Sequence, residues 1–171
     1  MASGDPLFRI GAWDFNPSGT NGALFQTRQS ATTEKEVFHI AAFDDTTDQY
    51  LDIQLTMPDA YAGTTGITCS IRWAATVTTS TTIWKIGLRR LADDATGSDL
   101  DASHTYAFNS VTASPASASG EVAYDSITFT DGADMDNVVA GDEFNLRIYR
   151  DAVTDGMSGD AQLLSIYIYE T

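Results

Sequence analysis

The chain has 171 residues, 43% of them hydrophobic, with 24 acidic against 9 basic side chains and a net charge of −15. That length and apolar content suit one domain with a single filled core and exclude a disordered polymer. The charge argues against a nucleic-acid surface, which needs a basic patch to displace counterions, and against docking to an anionic membrane.

Residues 1–35 read as an N-terminal arm or edge segment. Pro6, Gly11, Pro17, Gly19 and Gly22 punctuate apolar islands at Leu7-Phe8, Trp13, Phe15 and Leu24-Phe25. Regular strand signals begin at Val37, and residues 36–171 read as the folded body. Val37 to Phe43 is a first strand, ended by a run of Asp and Thr. Gln49 to Met57 alternates, with Leu51, Ile53, Leu55 and Met57 inward, and Pro58 stops it. Ile67 to Ala75 turns Cys69, Ile71 and Trp73 inward and Arg72 outward. Thr82 to Leu91 puts Trp84, Ile86 and Leu88 on one face.

Asp93 to Asp101 is a turn cluster, Tyr106 to Val111 a shorter strand, and Ser114 to Gly120 a small-residue loop. In Glu121 to Thr130, Val122 and Tyr124 share one phase while Ile127 and Phe129 share the other. An extra residue near Asp125-Ser126 would repair that register, which predicts a β-bulge there. Asp134 to Val139 suits one helical turn. Glu143 to Arg150 turns Phe144, Leu146 and Ile148 inward. The last strand, from about Ala161, places Leu164, Ile166 and Ile168 on its core face and Tyr167 and Tyr169 on the other.

About eight strands separated by turns rich in Gly, Asp and Ser predict an all-β fold: an antiparallel two-sheet sandwich, with a jelly roll preferred to an immunoglobulin-like arrangement. The loops 93–104 and 111–120 suit crossings between sheets.

Chemistry is sparse. His39 and His104 are the only histidines, no Gly-x-Ser-x-Gly elbow occurs, and Cys69 sits on an inward phase. A catalytic triad and a reactive thiol are therefore not expected, and no catalytic residue is assigned. Acidic residues fall mostly in turns, where Asp serves backbone hydrogen bonding rather than glycoside cleavage. Asp93, Asp99 and Asp101 in one turn, and Asp131, Asp134 and Asp136 in another, offer oxygen ligands for Ca²⁺. Neither turn matches an EF-hand loop, so no cofactor is assigned. Tyr149, Tyr167 and Tyr169 fall on outward phases with Arg72 and Arg147. Outward Tyr and Arg on one sheet suit a protein interface, and Trp13 and Phe15 could anchor the arm to the body or to another subunit. No basic, apolar leader opens the chain, so synthesis in the cytoplasm without secretion is expected.

Several motifs resemble a family of small jelly-roll virion proteins of tailed bacteriophages. They are Met57-Pro58-Asp59-Ala60-Tyr61, Arg72-Trp73-Ala74-Ala75, Trp84-Lys85-Ile86-Gly87-Leu88, Phe129-Thr130-Asp131-Gly132-Ala133-Asp134-Met135-Asp136, Ala140-Gly141-Asp142-Glu143-Phe144, Leu146-Arg147-Ile148 and Gly159-Asp160-Ala161-Gln162-Leu163-Leu164. The resemblance covers about residues 35–170 and brings no catalytic residues. It implies a virion structural component and leaves its place on the virion open. With no long shaft, heptads or collagen-like repeat in the chain, a capsid decoration (cement) protein is expected over a fibre, as a homotrimer on the major capsid protein or another virion protein. The alternative is a fibre or receptor-binding module that adsorbs to host-surface carbohydrate through outward tyrosines such as Tyr149 and Tyr167.

Overall fold

In the computed structural model, which describes residues 4–31, 33–92 and 99–171, the alternating segments become two antiparallel sheets packed as a sandwich. The described strands are β1 (Pro6–Gly11), β2 (Asn16–Pro17), β3 (Leu24–Gln29), β4 (Val37–Phe43), β5 (Gln49–Thr56), β6 (Ile67–Ala75), β7 (Thr82–Leu91), β8 (Ala107–Ala113), β9 (Val122–Phe129), β10 (Glu143–Arg150) and β11 (Ala161–Glu170). Sheet A runs β3-β4-β11-β6-β9, and sheet B runs β2-β5-β10-β7-β8. The chain switches sheets between most successive strands, as a jelly roll requires. Eleven described strands replace the eight or so expected. The additions come from the first 35 residues, which supply β1 and β3 to sheet A and β2 to sheet B.

β11 sits at the centre of sheet A. One side pairs with β6 along its length; the other pairs first with β4, through Ala161–Leu163, and then with β1, through Ser165–Tyr169. The inner faces of the two sheets meet over Phe43, Trp73, Trp84, Phe129 and Phe144, all fully buried. Trp84 stands edge-on to Phe43 and to Trp73, with centroids 5.0 and 6.0 Å apart. Edge-to-face packing suits the ring quadrupoles, and replacing either tryptophan by Ala would cost about 3–5 kcal/mol. Cys69 is buried among these residues, and burial pushes its thiol up to about 12. A thiol held so far from ionisation is a packing group.

Three expectations change. The bulge is not in β9, whose pairing with β6 runs unbroken from Val122 to Phe129. The apolar phase misled there because an acid faces inward. Asp125 accepts a 2.7 Å hydrogen bond from the Trp73 indole Nε1, while Val122 and Tyr124 point out. The irregularity is instead in β11, between Leu163 and Ser165. It makes Leu163 the core residue, with Ile166 and Ile168, and turns Leu164 out, against expectation. Finally, the connection containing 93–104 links β7 to β8, which are neighbours in sheet B, so it is no crossing between sheets.

The end of β10 carries a charge that the period-two pattern points inward. Arg150 is fully buried, forms a bidentate pair with Asp155, and donates to the carbonyls of Phe43, Met157 and Gly159. Every guanidinium edge is thereby used, which offsets desolvation and fixes the 151–159 turn against the core.

Candidate functional site: the two outer faces

With the core filled, the outer faces of the two sheets are the surfaces left to act. On sheet B the register places Tyr149 beside Tyr50 and Lys85, and Arg147 beside Asp52 and Gly87. Arg147 meets Asp52 through two 2.8 Å hydrogen bonds and lies over the rings of Tyr50 and Tyr106, at 5.3 and 4.9 Å. The Asp52 partner raises the Arg147 pKa further above its ordinary value, and burial raises those of Tyr50 and Tyr106. Tyr149 packs on Tyr50 and edge-on to Phe108, both at 4.9 Å, and is only 9% exposed. Phe108 can lie over β7 because residue 87 is glycine: a Cβ there would stand 2.9 Å from the ring. Lys85 meets Asp151 at 2.6 Å, and Arg90 meets Asp142 at 2.7 Å. The aromatic faces and most of the charges of this surface already have partners within the chain.

Sheet A differs. Its outer face carries two open grooves. The first, about 450 Å³, crosses the sheet over Arg28 on β3, Phe38 on β4, Gln162 and Leu164 on β11, Ala74 on β6 and Val122 on β9. Its floor is apolar, and Phe38 and Val122 remain 45% and 39% exposed. Arg28 closes one end, held by a 2.6 Å bond from Nη1 to the Gln162 side-chain oxygen. Gly120 lies directly against that guanidinium. Its φ of +82° favours glycine, and a Cβ there would stand 2.5 Å from Arg28 Nη2 and push the guanidinium aside.

The second groove, about 440 Å³, is lined by Arg9 and Gly11, by Arg72 on β6, and by Ser165 and Tyr167 on β11. The β11 bulge joins the two: Leu164 lines the first groove and Ser165 the second. Arg9 lies 5.2 Å from the Tyr167 ring and Arg72 lies 5.3 Å from the Tyr124 ring. Tyr124 is 64% exposed, and Tyr169 packs 5.7 Å from Tyr167. Register sets rows of hydroxyl-bearing side chains beside these rings, Ser126 with Ser70 and Tyr167, then Thr128 with Thr68 and Tyr169.

The residues expected to share one surface are therefore divided. Arg72, Tyr167 and Tyr169 face out from sheet A, whereas Arg147 and Tyr149 face out from sheet B. Trp13 stacks on His39 at 4.0 Å and donates to the Ile40 carbonyl within the same chain. Phe15 is in the core and presents no outward face. Tyr124 and Arg9 on sheet A, and Asp52, Tyr50, Tyr106 and Phe108 on sheet B, were not singled out from the sequence. Their roles depend on which strands become neighbours.

The acidic turns are engaged as hydrogen-bond acceptors. Asp131 takes the Tyr61 hydroxyl, Asp134 takes the Thr130 amide and the Asn109 side chain, and Asp136 takes the Arg90 amide. Asp99 accepts from the Asp101 amide, and Asp93 lies outside the described residues. Among the described residues, no three His, Cys, Asp or Glu side chains converge to hold a metal ion. His39 is exposed under Trp13, and the His104 ring lies against the Asp99 carbonyl. Among the described residues, neither is paired with a nucleophile.

Neither a protein-family model nor a curated protein matches the chain. Solved structures do. A family 35 carbohydrate-binding module from Clostridium thermocellum superimposes with a TM-score of 0.58 at 11% identity, over 98% of this chain and 100% of its own. A family 35 module from an environmental isolate gives 0.56 at 8% identity, over 95% and 92%. The CBM22-1 xylan-binding domain of Xyn10C from Paenibacillus barcinonensis gives 0.54 at 11%, over 99% and 97%. At these identities the likeness establishes the β-sandwich fold. It also corrects the expectation of a capsid decoration protein, since these three sandwiches, matched end to end, are carbohydrate-binding modules.

Proposed function

We propose that the protein is a carbohydrate-binding module that holds a glycan chain in the grooves of sheet A and does no chemistry on it. One observation carries the reading. The outer face of sheet A carries, on one rigid sheet, a groove with an exposed apolar floor, a second groove lined by Tyr167, and beside them the exposed Tyr124 ring and rows of hydroxyls. Sugars need that combination, because the C–H face of a pyranose packs on an aromatic or apolar surface while its hydroxyls exchange hydrogen bonds with polar neighbours. Building the site on strands rather than loops keeps the groups in fixed spacing, which limits the entropy lost on binding. Full-length likeness to binding modules supports the same reading.

The test is a glycan array and affinity electrophoresis in gels containing soluble polysaccharides. Tyr124→Ala and Tyr167→Ala should each abolish retardation by the polysaccharide that binds, with the thermal midpoint held near that of the parent. Binding that survives both substitutions but is lost in Tyr149→Ala would move the site to sheet B.

A further inference from the structure

Resting on the glycan reading of sheet A, we propose that the ligand is an acidic polysaccharide, whose anionic groups are gripped by Arg72 and Arg9 with Arg28 at the far end. The chain has only 9 basic residues against 24 acids. Their distribution is uneven. Lys85, Arg90, Arg147 and Arg150, all on sheet B strands, each meet an aspartate. The three arginines that line the sheet A grooves meet none among the described residues. Arg72 and Arg9 lie on tyrosine rings, and Arg28 touches the neutral Gln162. A guanidinium stacked on a ring offers its flat face and keeps its N–H edge free for an oxyanion.

Two acids beside groove-lining residues, Asp14 near Gly11 and Glu121 next to Gly120, are engaged by other groups. Asp14 accepts the Gly11 amide at 2.7 Å, and Glu121 accepts the Ala118 amide and the Ser117 hydroxyl. A molecule with a net charge of −15 repels a polyanion over most of its surface. On sheet B only Arg89 meets no acid among the described residues; the three arginines gathered at the sheet A grooves give such a ligand a place to land, and the repulsion elsewhere sets its register. Carboxylates of uronic acids and sulfate esters share this chemistry, since both present paired oxygens to the guanidinium fork.

The probes are polygalacturonate, the same polymer methyl-esterified, a sulfated galactan and neutral xylan, titrated calorimetrically into the full chain. Binding of the polyuronate, lost on esterification, identifies the carboxylate; binding of the sulfated galactan in its place identifies the ester. In either case Arg72→Gln and Arg9→Gln should each weaken binding by about tenfold, and raised salt should weaken it further. Arg89→Gln, on sheet B, should leave binding unchanged. Equal affinity for xylan, untouched by Arg72→Gln, would overturn the charge inference and leave the glycan reading standing. Loss in Arg89→Gln as large as in Arg72→Gln would overturn the assignment to these grooves. Binding of no polymer in the panel, with the folded midpoint intact, would overturn both.

Discussion

The two outer faces of the sandwich use the same side chains to opposite ends. On sheet B, Arg147 is clasped by Asp52 and roofed by two tyrosines, and Tyr149 is covered by Tyr50 and Phe108. On sheet A, Arg72 lies on Tyr124 alone, and that ring is mostly in water. Whether a Tyr–Arg pair is mortar or a docking point is set by what completes it. A carboxylate within the chain saturates the guanidinium; without one, the group is left for an external oxyanion.

The largest test of the contrast is Tyr149→Ala. It should destabilise the fold by about 3 kcal/mol by emptying a covered aromatic site, seen as a lower denaturant midpoint, while glycan retention persists. Tyr124→Ala should do the reverse. Next, a double-mutant cycle on Arg147 and Asp52 should return a coupling of about 2 kcal/mol, whereas one on Arg72 and Tyr124 should return about 0.5 kcal/mol. Equal couplings would erase the distinction between the faces. Gly120→Ala should cost about 1 kcal/mol through its positive φ and should also displace Arg28, weakening binding beyond the stability loss.

The smallest effect concerns pH. Burial, with the fields of Asp44 and Asp45 against the opposing Arg150, holds the Asp160 carboxyl above its ordinary 3.8. The folded state then binds a proton more readily than the unfolded one. Stability therefore falls as pH rises from 3.8 through the raised value, and the penalty persists at neutrality. Asp160→Asn should raise the thermal midpoint at pH 7, by less than any of the losses above, and the gain should vanish below about pH 3.8. A gain that grows on acidification would reverse the sign of the argument.

Much of the sandwich is legible in residue order. β5, β6, β7 and β10 alternate cleanly, because the inner face of each is apolar, Arg150 at the end of β10 excepted, and a one-residue slip would expose all of it. β9 is misread for a specific reason: the indole of Trp73 makes an inward carboxylate at Asp125 acceptable, so polarity and direction part company. β11 hides its bulge because Leu163 and Leu164 are equally apolar, and only pairing with β6 shows which one turns out. The grooves are half legible. Outward Arg72 and Tyr167 follow from phase, but their partners Tyr124 and Arg9 come from strands brought alongside by the topology. Nor does residue order reveal that consecutive strands β10 and β11 belong to different sheets, which is why Tyr149 and Tyr167 look like neighbours and are not.

The position of β11 bears on how the molecule is assembled in time. The strand that β1, β4 and β6 all lean on is the last of the eleven in chain order. Until it emerges from the ribosome, sheet A has no middle, and its earlier strands wait with unpaired edges. Closure is therefore a late, long-range event, of the kind that makes β-sandwiches slow to fold. The waiting strands are open to mispairing for as long as the final segment is delayed. Chains stalled before Ala161 should be captured by chaperones, and the two grooves of sheet A, both lined by β11, should come into being only as the whole sandwich shuts.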